Sequence, residues 1–426
     1  MYAKRFHLPH RKNAADVRTV KIDSHAPVII SMAHGIGAPC VPVVEAGDYV
    51  RTGQLIADSD AFVSAPVYSS VTGKVIEERN VLDINGNLTK ALVIDSEQKQ
   101  YLCSKIAPPV INTREEFIKA VRASGLVGLG GAGFPTHAKL NYDREKYKVD
   151  TLVVNASECE PYITTDYREI MENSEDIIAG IKLILEKCGI SRAVIGIERN
   201  MPSAVRLMRE RVQSEQNITV KALPTYYPQG AEKVLVHNTT RRIVKEKQLP
   251  YSAGCIILNV TSVASIARYM ETGIPFISRR ITIDGNIVNK PANFMVPIGI
   301  TLGEIMKKAD LRLQPDRIIF GGPMMGKSVY DLETPIGKTT GAVLFFKDMP
   351  TDRATACIRC GKCLRACSMN LMPTEFEKSY EMRDIKRLRK LRVDLCMECG
   401  SCSYICPAKR NLTERNKLAK DLLRDN

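Results

Sequence analysis

CIRCGKCLRACS (Cys357–Ser368) and CMECGSCSYICP (Cys396–Pro407), with 28 residues between Cys367 and Cys396, decide how this chain is read. The first carries Cys357, Cys360, Cys363 and Cys367, the second Cys396, Cys399, Cys402 and Cys406, each spaced C-x2-C-x2-C-x3-C. That spacing belongs to thiolate ligation of cubane iron–sulphur clusters. Three thiolates within seven residues reach three corners of one cluster only if the backbone curls tightly, and Gly361 and Gly400 supply the freedom to curl. In such paired motifs the fourth cysteine ligates the other cluster, so the two motifs fold as one unit. The expected ligand sets are Cys357, Cys360, Cys363 and Cys406 for one 4Fe-4S cluster, and Cys396, Cys399, Cys402 and Cys367 for the second. Two zinc knuckles or four disulfides are the competing readings. Zinc sites, however, favour two separated pairs over a run of three followed by a fourth. Only the second motif ends in the customary proline, Pro407; Ser368 follows Cys367.

The composition sets the limits around this centre. A chain of 426 residues is expected to form two to four domains. Hydrophobic and charged fractions of 44 % and 25 % are those of an ordinary soluble protein. Thirteen cysteines and a basic opening, Met1–Lys12, with no apolar run behind it point to a reducing compartment. No apolar run reaches the roughly 18 residues of a membrane helix, so any membrane association is expected to be peripheral or through partners. The net charge of +14 collects near the cysteines, in Arg383, Lys386, Arg387, Arg389, Lys390 and Arg392. Little aromatic interleaving accompanies it, which argues against nucleic acid. It reads either as a solvated helix face or as a docking surface for an acidic redox partner or acidic leaflet.

Towards the N-terminus, Pro42–Ala57 and Ser64–Glu77 read as short strands with turns at Gly47-Asp48 and Thr72-Gly73. The two half-repeats resemble the barrel-sandwich of lipoyl and biotinyl carriers. A carrier needs a lysine at the hairpin tip, where this chain has Asp58, Ser59, Asp60 and Ala61, so a docking or assembly role is expected. After Pro108-Pro109 a helix is predicted from the capping box of Thr113 and Glu116. It runs into GLVGLGGAGFP, Gly125–Pro135, with five glycines in nine residues. Gly128, Gly130 and Gly133 match G-x-G-x-x-G, but a helix precedes the loop where a dinucleotide fingerprint has a strand. The glycines allow close backbone approach to a phosphate, and Lys139 adds positive charge. A strand at Thr151–Val154 ends in NASECEP, Asn155–Pro161, where Glu158 and Glu160 are placed to accept hydrogen bonds from sugar or ribityl hydroxyls. Cys159 reads as an inert loop thiol. Alternating helices and strands follow, then TYYPQGAEK, Thr225–Lys233. From Gly254 short strands around helices suggest a β-grasp module, closed by IIFGGPMMG, Ile318–Gly326.

GLGGAGFPTHAK (Gly128–Lys139), NASECEP, YPQGAEK and ILNVTSVAS (Ile257–Ser265), in that order, resemble the flavin-binding subunit of respiratory complex I. The resemblance implies FMN contacts from Gly130, Gly131, Gly133, Lys139, Asn155, Glu158, Gly230 and Asn259, in a loop opened by Gly128. It implies nicotinamide-nucleotide contacts from Phe134, Glu160, Tyr227 and Glu232. Two positions depart from that family: Leu129 stands where it has an arginine, and Ala231 where it has the first of a Gly-Glu-Glu pair's acids. That family also carries a different, single-cluster cysteine motif. With the lysine-less barrel-sandwich in front and the two ferredoxin-type motifs behind, nearly the whole chain resembles the RnfC component of the Rnf electron-transport complexes.

The fold class expected is multidomain α/β and α+β: barrel-sandwich over 1–107, FMN- and NADH-binding α/β domain over 108–250, β-grasp (SLBB-like) module over 251–326, and linker with a two-cluster ferredoxin-type domain over 327–426. The resemblance implies two 4Fe-4S clusters, FMN and NAD(H). It also implies integral-membrane and iron–sulphur subunits of the same complex as partners, ferredoxin as an indirect one, and a peripheral place on the cytoplasmic face. Such a complex couples electron exchange between ferredoxin and NAD to translocation of Na+ or H+ by its other subunits. The chemistry agrees: clusters move single electrons, nicotinamides take hydride, and a flavin converts between them, with no acid or base side chain needed. The rivals are a soluble corrinoid reductase, whose barrel-sandwich tends to follow the clusters, and an electron-wire protein without a working nucleotide site.

Overall fold

The computed structural model describes residues 6–83, 86–350 and 353–425, so Met1–Arg5 of the basic opening lie outside the described residues. Its centre is a parallel four-stranded sheet whose spatial order is Ile218–Leu223, Arg192–Glu198, Thr151–Ala156, Cys255–Asn259. Thr151–Val154 is buried throughout, as a strand covered by helices on both faces must be. Helices Ser174–Cys188 and Val260–Thr272 pack together beside it, and Gly180 is bare because a Cβ there would lie 2.2 Å from the Val263 carbonyl. In chain order the strands run third, second, first, fourth. The order therefore reverses between Thr151–Ala156 and Cys255–Asn259, the crevice where such sheets take ligands.

This corrects one expected boundary. Residues 251–272, expected in the β-grasp module, belong here, because Cys255–Asn259 pairs in parallel with Thr151–Asn155. The run CIIL is buried on both faces, an environment the helix-covered sheet provides. The module expected to end at 326 also extends further. Its six-stranded mixed sheet runs Thr19–Lys21, Ala292–Pro297, Ser278–Asp284, Ala342–Phe346, Arg317–Phe320, Lys327–Val329. The fully buried strand AVLFF, Ala342–Phe346, is one of its inner members.

The N-terminal half-repeats form two facing sheets, Val28–Ser31, Leu88–Ser96, Gly73–Leu82 and Tyr49–Val50 against Val41–Pro42, Leu55–Asp58 and Val67–Tyr68. Val28, Ile30, Ile56, Val75 and Ile94 fill the space between them. At the tip where a carrier would hold its lysine, Asp58 takes two hydrogen bonds from Arg122, at 2.7 and 3.2 Å. The barrel-sandwich thus docks on the helix Arg114–Ala123 of its own chain, and that helix has the capping box read from Thr113 and Glu116. Lys338, fully buried, donates to the carbonyls of Pro66 at 2.9 Å and Gly125 at 2.7 Å and so ties three modules together. Burial pushes its pKa down to about 7.

The C-terminal part is built of short helices, Lys362–Ala366, Pro373–Glu381, Ile385–Leu391, Ser401–Tyr404 and Leu412–Arg424, around Phe376, Leu388, Val393 and Ala419. Gly361 and Gly400 open two of them with φ of 68° and 79°, the left-handed curl expected of both cysteine loops. Arg359 and Glu398 repeat the pattern two residues earlier, with φ of 56° and 57°.

Candidate functional site

Asn155 and Asn259 end adjacent strands in register, one on each side of the sheet's switch point. Their side chains are built in. Asn155 Nδ2 donates to the Gly230 carbonyl at 3.0 Å while its Oδ1 accepts from Ser157 N. Asn259 Oδ1 caps the helix Val260–Thr272, and its Nδ2 donates to Asp166 at 2.7 Å. The glycine loop arches over this edge as a closed turn, with Gly128 N donating to the Phe134 carbonyl at 2.8 Å and Thr136 N to the Leu126 carbonyl at 3.2 Å.

The glycines divide by task. Gly130, with φ of 75°, faces Asn259: a Cβ there would sit 3.3 Å from Asn259 Nδ2. Gly131 is exposed and a Cβ would meet nothing within 4 Å, so its backbone borders open space. Gly133 is buried against the barrel-sandwich, where a Cβ would come 2.6 Å from the His34 carbonyl, and the neighbouring Ala132 carbonyl accepts from Ile36 N at 2.9 Å. Expected against FMN, Gly133 instead serves the seam between modules. Half-buried Phe134 lies in the same turn, and Lys139 pairs with Glu232 at 2.7 Å across the opening. Gly130, Gly131, Lys139, Asn155, Gly230, Glu232 and Asn259 therefore form a cradle of backbone, amides and one cation at the switch point, which fits a phosphorylated flavin. Leu129 points inward, 4 % exposed and part of the main core, so it lends no charge to the cradle.

Three further residues expected at the ligand face elsewhere. Glu158 is buried, accepting from Asp166 N at 2.8 Å and Thr165 Oγ1 at 3.2 Å at the start of the helix Thr165–Glu172. Glu160 accepts from Met324 N at 3.0 Å and Met325 N at 2.8 Å in the IIFGGPMMG turn. Tyr227, 1 % exposed, donates its hydroxyl to the Cys399 carbonyl at 2.6 Å. The reason is packing: each finds an orphan backbone group within reach, and buried polar groups take such partners. Burial pushes Glu158, Glu160 and neighbouring Glu198 up to about 7 and the Cys159 thiol up to about 12, which disfavours its thiolate. Lys12, not singled out in the sequence, reaches into this group, donating to the carbonyls of Glu158, Glu160 and Ile163. Asp166 escaped sequence reasoning too. No motif marks either residue, since both act through contacts more than 90 positions away.

The cysteines gather in two groups. Cys367, Cys396, Cys399 and Cys402 line one cavity with Leu371, Phe376, Thr413 and Asn416. Cys363 lies within electrostatic reach of Cys357 and Cys406. Thus Cys367 joins the second motif and Cys406 the first. Among the described residues no three such ligands converge on a point for a single ion; four thiols around a cavity fit a cluster. Donors already face the sulphurs: Leu371 N stands 3.3 Å from Cys367 Sγ, and Asn416 Nδ2 3.8 Å from both Cys396 and Cys402. Burial pushes Cys396 and Cys402 up to about 11 and about 12, so they are thiols unless iron displaces the proton. Cys357 and Cys360 are exposed, whereas the second group abuts the parallel-sheet domain through Tyr227.

Fold and site together define a flavin- and iron–sulphur-binding electron-transfer protein. Family models agree: the RnfC barrel sandwich hybrid domain matches residues 2–99, the Nuo51 FMN-binding domain 121–268, and a 4Fe-4S dicluster domain 356–409. The chain is 40 % identical to the C-subunit of the proton-translocating ferredoxin:NAD(+) oxidoreductase complex of Clostridium ljungdahlii, over 82 % of this chain and 77 % of the relative. It is 36 % identical to the Na(+)-translocating counterpart of Acetobacterium woodii, over 89 % and 87 %. In fold it is similar to a chain of an NAD+-reducing [NiFe]-hydrogenase in the H2-reduced state, with a TM-score of 0.52 and 19 % identity over 74 % of this chain and 61 % of that one. The chain belongs to the RnfC family, the C-subunits of ion-translocating ferredoxin:NAD oxidoreductase complexes.

Proposed function

We propose that this chain exchanges electrons between ferredoxin-linked partners and NAD(H), as the peripheral subunit of a complex whose membrane subunits translocate Na+ or H+. The observation that carries the reading is the arrangement of the two cysteine groups: one reaches solvent at Cys357 and Cys360, the other is fastened by Cys399 to the domain that bears the glycine cradle. Two bound 4Fe-4S clusters and FMN would supply single-electron carriage and its conversion to hydride exchange with NAD. The residues of this chain supply placement. Cys357, Cys360, Cys363 and Cys406 would hold the outer cluster, and Cys367, Cys396, Cys399 and Cys402 the inner one. Gly130 and Gly131 offer backbone to the flavin phosphate, Lys139 neutralises it, and Asn155, Gly230 and Asn259 line the same edge. Phe134 and Glu232, at the mouth, are placed to meet the nucleotide. Residues 251–272 complete the flavin domain, and the mixed sheet beyond it is the β-grasp, SLBB-like module. Among the described residues no helix is long and apolar enough to cross a membrane, which suits a protein held by partners on the cytoplasmic face. Exposed Arg383, Lys386, Arg389 and Lys390, which make no ion pair among the described residues, form a face for an acidic donor protein.

The test is anaerobic titration of the reconstituted chain with NADH, following flavin absorbance together with iron and flavin content. Bleaching with about eight irons, four per cubane, and one FMN per chain is the expected result. Full cofactor content without bleaching would make the chain an electron conduit with no nucleotide site.

A further inference from the structure

The second cysteine loop is gripped at two successive residues. Tyr227 Oη holds the Cys399 carbonyl at 2.6 Å. Its ring meets Phe6 edge-on at 5.8 Å, and Phe6 stacks at 5.6 Å on Tyr404 of the same cysteine motif. On the other side, Gly400 lies against the IIFGGPMMG turn, where a Cβ would come 2.7 Å from the Met324 carbonyl. That turn is fixed by Glu160, whose two carboxylate oxygens each take one N–H, from Met324 and Met325. Gly322 is bare for the same reason, since a Cβ there would lie 2.3 Å from Glu160 Oε2. Two elements distant in sequence thus close on Cys399-Gly400, and each is anchored by a residue that the complex I resemblance would spend on the nucleotide.

We propose that Glu160 and Tyr227 are positioning residues for electron transfer, which hold the inner cysteine loop against the flavin domain and leave nucleotide binding to other groups. This rests on the two-cluster flavoprotein reading above. Electron tunnelling falls exponentially with distance, so a loop that lifts away from its donor domain slows transfer without losing a ligand. Hydrogen bonds and solvent access around the ligands also set a cluster's potential.

The test uses the full reconstituted chain and two variants, Tyr227→Phe, which keeps the ring and deletes the donor, and Glu160→Gln. Amide hydrogen exchange over Met397–Ser401 is measured first, on parent and variants of matched iron content. Loss of one such hydrogen bond is expected to speed exchange there about five- to tenfold. The reduced inner cluster's electron paramagnetic resonance signal should change while the outer cluster's stays as in the parent. Affinity of the oxidised protein for NAD+, read by flavin fluorescence, should stay within about twofold, since neither variant removes a nucleotide contact. Unchanged exchange and unchanged signal in both variants overturn the proposal. So does an NAD+ complex weakened tenfold or more in either. Parent protein holding only one cluster would instead count against the two-cluster reading, and the exchange result would still decide the clamp.

Discussion

Glu198 sits 1 % exposed beside Glu158, with Oε1 unpartnered among the described residues. Burial, opposed by Lys12 and reinforced by Glu158, raises it from the ordinary 4.5 to about 7. Its folded-state pKa is raised, so the folded chain keeps a proton that the unfolded chain has released between those values. Its stabilising contribution is complete below about pH 4.5 and is lost as pH rises through 7. Glu198→Gln should therefore gain on the parent with rising pH, by about 1–3 kcal/mol at pH 8. Thermal melts at pH 5 and 8 check this; a pH-independent difference would refute it. Lys139 makes the opposite kind of contribution. Its pair with Glu232 is largely open to water and is worth at most about 1 kcal/mol to the fold. Lys139→Met should leave melting nearly unchanged and weaken FMN about ten- to hundredfold, the loss of a charged hydrogen bond, as measured by flavin retention.

Among the elements, the glycine loop has two halves with different duties. Gly133→Ala forces a side chain into left-handed backbone, at φ of 72°, and against His34, so the seam should lose about 2 kcal/mol or more. Gly131→Ala meets no protein atom and should cost the fold under about 0.5 kcal/mol. Its Cβ would still enter the space left for the ligand, and weakening of FMN by about tenfold is expected from the lost backbone approach. Melting curves with and without FMN separate the two variants; equal losses of stability would show that the loop is uniform. The capping box at Thr113, the curls at Gly361 and Gly400 and the strand read at Thr151–Val154 are legible in the sequence because each is decided by local backbone geometry. The strand at Cys255–Asn259 is legible too, but the sheet it joins is not, since a short buried run pairs equally well in either neighbouring sheet until its helix finds a face.

Across the whole molecule, the cation excess lies beside the cysteine motifs. Arg383, Lys386, Arg389 and Lys390 flank the cysteine loops on the exposed side, while Arg392 is tied to Glu246 of the flavin domain at 2.6 Å. Reversing Lys386, Arg389 and Lys390 to glutamate should slow reduction by an acidic ferredoxin carrying two cubane clusters about tenfold or more at low salt and flatten the salt dependence. Stopped-flow rates across a salt series measure both. Rates that match the parent's at every salt concentration would remove this surface from donor docking.

The parts of the protein are written in short stretches of its sequence: two cubane motifs, a phosphate-cradling glycine loop before a parallel sheet, a barrel-sandwich without its lysine. Each depends on spacing over a few residues, which short-range backbone geometry translates directly into form. How the parts are joined emerges only in the folded molecule. Asp58 docks on Arg122, Lys338 pins three modules, and Gly133 belongs to a seam. Glu160 fixes the IIFGGPMMG turn, and Tyr227 holds the second cysteine loop. These contacts satisfy buried polar groups between segments up to 272 positions apart, and the identity of such partners is fixed by packing that no local pattern encodes.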